Sequence, residues 1–290
     1  MFPSVFRSRL LLVLLLLAYG VLVWVLPHLS RVAGTSDTQL AVHFLDVGQG
    51  DAILIETPEG NHVLVDGGPN TAVLTHLREH VPFWDRELEV VVGTHPDLDH
   101  VAGLVDVLAS YQVATIITTE ATGASPAAKA WVAAVPEEGA AVHQARAGQV
   151  YALGASTTLT ILSPSYDPTR LNSNAGSIVA LLEYGEVQFL LTGDAPQGVE
   201  EYLVATYGGM LEAEVLKLGH HGSDTSSGSS FLAAVKPQFA VVSAGVANRY
   251  NHPDPDVLAR VAAHTDAQIV STQHGTVSFV SDGQTVWLTK

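Results

Sequence analysis

In the stretch VVVGTHPDLDHVAGL (90–104), His95, Asp97, Asp99 and His100 fall within six residues. Imidazole nitrogens and carboxylate oxygens both ligate divalent cations, and a mixture of the two suits a harder ion than imidazole alone. The apolar run before His95 has the length and β-branched content of a buried strand, and HVAGLVDVLAS resumes a helical period. The four side chains therefore sit where a strand gives way to a helix. Such a junction holds ligands on rigid elements while freeing them from the sheet. Two readings of the stretch compete: a metal cradle, and a solvated turn in which Asp97 caps the helix.

Three further segments bear on that choice. HVLVDGG runs an apolar strand into Asp66, VQFLLTGD runs one into Asp194, and AEVLKLGHHG runs one into His220 and His221. A single Asp after a strand is commonly a turn residue, and paired histidines are commonly a surface loop. Four strands that all end on ligand-type residues favour the cradle. The surrounding elements alternate in the same way. LAVHFLD, AILIET, VATIITT, TTLTILS, SIVALLEYG and QFAVVSAG read as strands, whereas TAVLTHLREHV, APQGVEEYLVATYG and SSGSSFLAAVK read as helices. No internal repeat is long enough for a solenoid.

The 290 residues include no cysteine, which excludes disulfides and thiolate metal ligands. Arg7 and Arg9 precede an uncharged run from Leu10 to Leu26. This predicts one N-terminal transmembrane or signal helix, with the N-terminus cytoplasmic and the remainder outside. An uncleaved anchor and a cleaved signal are both open. Residues 1–38 are expected to form this segment and its linker, and residues 39–290 the folded domain. All 29 acidic residues follow Ser36, whereas three of the 13 basic ones (Arg7, Arg9 and Arg31) precede it. The domain is therefore strongly acidic, which opposes general affinity for nucleic acid through phosphate neutralisation.

The order LVDGG, THPDLDH, LLTGD, HHGS resembles the metallo-β-lactamase superfamily. More narrowly, HFLDVGQGDAILI, THPDLDHVAGL, LKLGHHGSDTSS and SAGVANRYNHP are similar to the soluble hydrolase domain of ComEC-type DNA-uptake proteins. The likeness runs from about Gln39 to the C-terminus. It implies an α/β fold, an αββα sandwich with a two-metal site on one edge. Carried over residue by residue, it implies His95 and Asp97 on one metal, Asp99, His100 and His220 on the other, Asp194 as the bridge and Asp66 as a brace. Many members supply a further histidine where this chain has Asn174 and Ser177, and His143 lies away from that position. The substitution hardens the first site from zinc toward manganese. Two divalent ions, zinc or manganese, are the implied cofactors.

The implied chemistry is attack of a metal-activated water on a phosphodiester. Asp99, Asp194 and His252 are the expected catalytic residues, with His252 protonating the leaving oxygen. His221 and Asn248, the latter in NRYNHP, are expected to support the site or face substrate. The resulting expectation is an extracytoplasmic phosphodiesterase or nuclease, membrane-anchored or secreted. Its substrate would be a phosphodiester, DNA among the candidates. A cell-surface phosphodiesterase acting on choline-phosphate or teichoic-acid-like substrates is one alternative, and a catalytically weak, metal-stabilised binding module is another. Asp51 in LDVGQGD is expected to support rather than ligate. His43, His62, His76, His80, His264 and His274 belong to no motif and receive no role.

Overall fold

The apolar runs pair into two sheets packed face to face in a computed structural model that describes residues 39–289. The first sheet begins with β1 (Leu40–Phe44), β2 (Ile53–Glu56), β3 (His62–Val65), β4 (Glu87–Gly93), β5 (Gln112–Thr118) and β6 (Ala141–Gln144). The second takes β7 (Val150–Ala152), β8 (Thr157–Ser163), β9 (Val179–Tyr184), β10 (Val187–Leu191), β11 (Val215–Lys217), β12 (Phe239–Val242) and β13 (Gln268–Ser271). The chain then returns to the first sheet with β14 (Val277–Ser281) and β15 (Val286–Leu288). The strand orders are β15-β14-β1-β2-β3-β4-β5-β6 and β13-β12-β11-β10-β9-β8-β7.

Alternation along the strands divides the core into three layers. Leu40, Val42 and Phe44 of β1 point between the sheets, where Phe279 meets Phe44 and Phe189 edge-on. On the outer face of the first sheet, Leu54, Leu64 and Val91 pack against three helices: α1 (Ala72–His80), α2 (Leu98–Leu108) and α3 (Pro126–Ala134). On the outer face of the second, Leu190 and Leu216 pack against α4 (Gln197–Tyr207), α5 (Ser229–Val235) and α6 (Pro255–His264). Helices thus cover both outer faces, as an αββα sandwich requires. The central strands are parallel where they lead into the site: β3 with β4, and β10 with β11. Parallel neighbours present their C-terminal ends to the same edge, so Asp66 and His95 emerge together, as do Asp194 and the histidine pair.

Two strands, β6 and β7, fall in a region where the sequence shows no strand pattern. Both are short, lie at sheet edges and are largely exposed, so neither needs an apolar face. The apolar run 10–26 lies outside the described residues. Among the described residues no helix is long and apolar enough to cross a membrane.

Candidate active site

Backbone contacts lock two loops to the start of α2. The amides of Asp51 and Gly67 donate to the carbonyls of Asp99 (3.1 Å) and His100 (2.7 Å), and Gly68 donates to Asp51 O (2.7 Å). This approach requires glycine at two places. A Cβ on Gly50 would lie 2.3 Å from Asp99 O, and one on Gly103 would lie 1.9 Å from Gly67 O. Asp97 occupies the N-cap position with extended backbone, but its side chain makes no capping bond. Its carboxylate interacts with Ser173 instead. The cap reading of HPDLDH is therefore not realised. Asp66, His220 and His221 all adopt left-handed backbone, with φ of 58°, 50° and 57°. For non-glycine residues this costs on the order of 1 kcal/mol each, although Asp and His tolerate it better than most. Such strain gathers where side-chain direction matters more than backbone comfort.

The imidazoles show what that strain achieves. Thr94 Oγ1 donates to Asp66 Oδ2 (2.7 Å), so its oxygen must accept from His95 Nδ1 (3.0 Å). His100 Nδ1 donates to Asp66 Oδ2 (2.8 Å), and His221 Nδ1 donates to the carbonyl of Ser243 (2.9 Å). Each ring is thereby held in the tautomer that leaves Nε2 with a free lone pair. All three Nε2 atoms are buried and make no hydrogen bond, and neither does Asp194 Oδ1. They converge on one carboxylate. His100 Nε2 lies 3.3 Å from Asp194 Oδ1, while His95 Nε2 and His221 Nε2 lie 3.7 Å and 3.6 Å from Oδ2. Buried polar atoms are almost always satisfied, so this many orphans facing each other need an electrophile between them. The donor set, imidazole with carboxylate, fits a divalent cation.

The electrostatics agree. Burial would push Asp194 up, but His100 and His221 beside it hold its carboxyl well below the usual range. Burial likewise disfavours charge on His100 and His221, yet Asp194, with Asp66 and Asp51 respectively, raises both; His221 reaches about 9. His95 is lowered to about 3, by burial and then by the neighbouring His100. Without a metal, His100 and His221 are therefore favoured as cations beside the carboxylates, whereas His95 is neutral. A bound metal would take over that positive charge and displace the protons.

A family model for the metallo-β-lactamase superfamily matches residues 45–246. The chain belongs to this superfamily. It is 28% identical over 255 residues to ComE operon protein 3 of Bacillus subtilis, covering 82% of this chain and 32% of that protein. It is 35% identical over 240 residues to competence protein ComA of Neisseria gonorrhoeae, covering 81% and 31%. Recombination protein 2 of Haemophilus influenzae is 30% identical over 260 residues, covering 88% and 29%. The chain thus spans about a third of the length of these ComEC-type relatives. Among solved structures, the metallo-β-lactamase fold protein YhfI of B. subtilis superposes with a TM-score of 0.55 at 12% identity, covering 83% of this chain and 99% of that one. The diiron β-hydroxylase CmlA of Streptomyces venezuelae gives 0.54 at 15%, covering 82% and 53%. Both show the fold alone. Fold and donor set together are those of a metal-dependent hydrolase of the metallo-β-lactamase superfamily.

Within this superfamily site, the predicted residues fall into two groups around Asp194. His95 and Asp97 lie on one side, with His95 Nε2 3.9 Å from Asp97 Oδ2. Asp99 and His100 lie on the other. Their histidine partner corrects the sequence reading: it is His221, not His220, whose Nε2 meets Asp99 Oδ2 at 3.4 Å. His221 is buried, whereas His220 is part-exposed, 3.7 Å from Asp194 Oδ2, with its Nε2 facing Asn174 (3.4 Å). Ser177 Oγ accepts the Asp194 backbone amide (3.2 Å), which helps position the residue on which the rings converge. Asp66 braces both His95, through Thr94, and His100.

Asp51 stands behind the rings. It can be grouped with His100, Asp194 and His221, whose ligand atoms lie within 4.8 Å. Its oxygens, however, approach Nδ1 of His221 (3.3 Å) and of His100 (3.7 Å), the side opposite Asp194. Asp51 Oδ2 accepts from Lys217 Nζ at 2.5 Å, and Lys217 also donates to Gly193 O (2.8 Å). Lys217 is wholly buried, and the sequence reading missed it. Its signal was a lysine inside the apolar strand of AEVLKLGHHG, a position that demands a charged partner.

A cavity of about 90 Å³ opens over the group, lined by Asp97, Asp99, Asp194, His220, His221, Tyr250 and His252. The loop 245–254 supplies one wall. Asn248, expected to support the site or face substrate, spends its amide on the loop: it donates to Gly245 O (2.9 Å) and His252 O (2.6 Å) and accepts from His252 N (2.9 Å). It thereby shapes the wall. His252 stacks on Tyr250 with ring planes 12° apart. Burial and the neighbouring His220 push the His252 ring below its usual value. Its place on the cavity wall puts it beside Asp99 and Asp194, the other expected catalytic residues.

Proposed function

We propose that the chain is an extracytoplasmic phosphodiesterase of nuclease type that works with two divalent cations. The observation that carries it is the set of three buried, unpartnered Nε2 atoms converging on Asp194. His95, Asp97 and Asp194 would hold one ion, and Asp99, His100, His221 and Asp194 the other. Bound there, a pair of cations supplies Lewis acidity, an acidified water and charge for a phosphate oxygen. The protein's own part is to fix the ring tautomers through Asp66, Thr94 and Ser243, to exclude water beneath the rings, and to place His252 at the mouth. The competence proteins among its relatives favour DNA as substrate. The formal charge of −16 favours the second reading, a small surface phosphodiester such as a choline-phosphate group, which demands less cationic surface.

Full-length protein is assayed on linear DNA and on bis(p-nitrophenyl) phosphate with zinc or manganese added in turn. Hydrolysis of either, abolished by chelator, supports the reading; no hydrolysis with any metal refutes it. Export rests on Arg7, Arg9 and the apolar run after them. Alkaline phosphatase fused to the C-terminus should be active in cells, and an inactive fusion would refute export.

A further inference from the structure

Three residues without a motif meet on the outer face of the first sheet, beneath the end of α1. His43 Nε2 and His80 Nδ1 each lie 3.1 Å from the same oxygen, Glu56 Oε1. The two rings are 4.1 Å apart between centroids and tilted by 41°. We propose that His43, Glu56 and His80 form a second divalent-cation site, remote from the hydrolase centre and suited to zinc. The proposal does not rest on the phosphodiesterase reading.

The geometry is that of ligands sharing an ion. With zinc–ligand distances of about 2.0–2.1 Å and tetrahedral angles, neighbouring ligand atoms stand about 3.3 Å apart. The observed contacts are close to that value, and all three ligand atoms lie within 4.8 Å of one another. Two imidazoles with one carboxylate form a zinc-type set.

The support behind the ligands also matches. His43 Nδ1 is 2.8 Å from Ser278 Oγ, on the strand paired with β1. With the ion bound, Nδ1–H donates to that hydroxyl and Nε2 keeps its lone pair. Without it, Nε2–H donates to Glu56 and Nδ1 accepts from the serine. The same atoms serve both states, and only the tautomer changes. His62, opposite Glu56 in the β2–β3 register, brings a third imidazole near the carboxylate. The side chains of Glu56 and His80 are 28% and 22% exposed, which leaves a path for the ion and room for water as fourth ligand. Occupied, the site fastens α1 to the β1–β2 hairpin.

Full-length wild type, His80→Ala and Glu56→Gln are dialysed against the same zinc chloride solution at neutral pH, and zinc per chain is counted by mass spectrometry. Each variant should hold one zinc fewer than wild type, and His80→Ala should keep its hydrolytic rate. Wild-type crystals grown with zinc should show an anomalous peak among the three side chains. Equal zinc counts, or no such peak, would overturn the site. Because the count is a difference between proteins, it stands whether or not the wild type hydrolyses any phosphodiester.

Discussion

Asp194 touches more of the site than any other side chain: its two oxygens face His100 on one side and His95, His220 and His221 on the other. Replacing it with Asn keeps the shape but removes the one negative charge shared by all four rings. Each tenfold change in rate corresponds to about 1.4 kcal/mol of barrier. If the clamp is worth several kcal/mol, Asp194→Asn should lower phosphodiester hydrolysis roughly a thousandfold while leaving the thermal transition in place. His143→Ala is the control, since that ring sits on the exposed edge strand β6 against Tyr151. Kinetics on the two variants decide it: near-full activity in Asp194→Asn, or an equal loss in His143→Ala, would break the ligand assignment. The adjacent histidines divide in the same way, with His221→Ala expected to lose more bound metal than His220→Ala.

At the scale of elements, much of this arrangement was legible before any coordinates. Strands ending on Asp66, His95, Asp194 and His220 could be read because a buried strand must be apolar and its ligand must stop it. What escaped reading is what depends on direction. His220 and His221 are adjacent, and only their two left-handed residues decide which ring turns inward. The Lys217–Asp51 pair joins positions far apart in sequence, and β6 and β7 are too short and exposed to leave a periodic signal. The loop after His221 is pinned by elements in the same non-local way. Glu200, in the first turn of α4, accepts the amides of Ser227 (2.6 Å) and Gly228 (2.8 Å), while Arg260 of α6 donates to the carbonyls of Ser226 and Ser227 (3.1 and 3.2 Å). Burial raises the Glu200 carboxyl from 4.5 to about 7 despite those two amides. The folded chain then binds a proton that the unfolded chain releases, so Glu200 costs stability progressively as pH rises from about 4.5 to 7. Urea denaturation of the metal-free protein at pH 5 and pH 8 should show wild type losing about 2–3 kcal/mol more than Glu200→Gln over that interval. Equal losses would mean that Glu200 is already ionised in the fold at pH 5, held by its two amide donors.

At the scale of the whole molecule, the charge of the chain sets how it can meet a polyanion. With 29 acidic residues against 13 basic ones, three of which lie in the first 31 positions, the surface offers few groups to neutralise phosphates. The cavity is itself walled by Asp97, Asp99 and Asp194. A phosphodiester entering it meets repulsion unless cations already occupy the carboxylates. Attraction must then be local to the metals rather than spread along a basic groove. Proteins that grip DNA by six to ten phosphate contacts lose affinity steeply with salt, by about 0.9 in log–log slope per contact. Here the slope should correspond to about one or two contacts, and binding should vanish when the divalent ions are chelated. Fluorescence anisotropy of a labelled single-stranded oligonucleotide with a non-hydrolysable backbone, titrated with wild type at several salt concentrations and again in the presence of chelator, measures both without turnover. A steep salt dependence, or binding that survives chelation, would mean that a basic surface rather than the metal centre recruits the substrate. The site would then be a cutter served by a separate DNA-holding face.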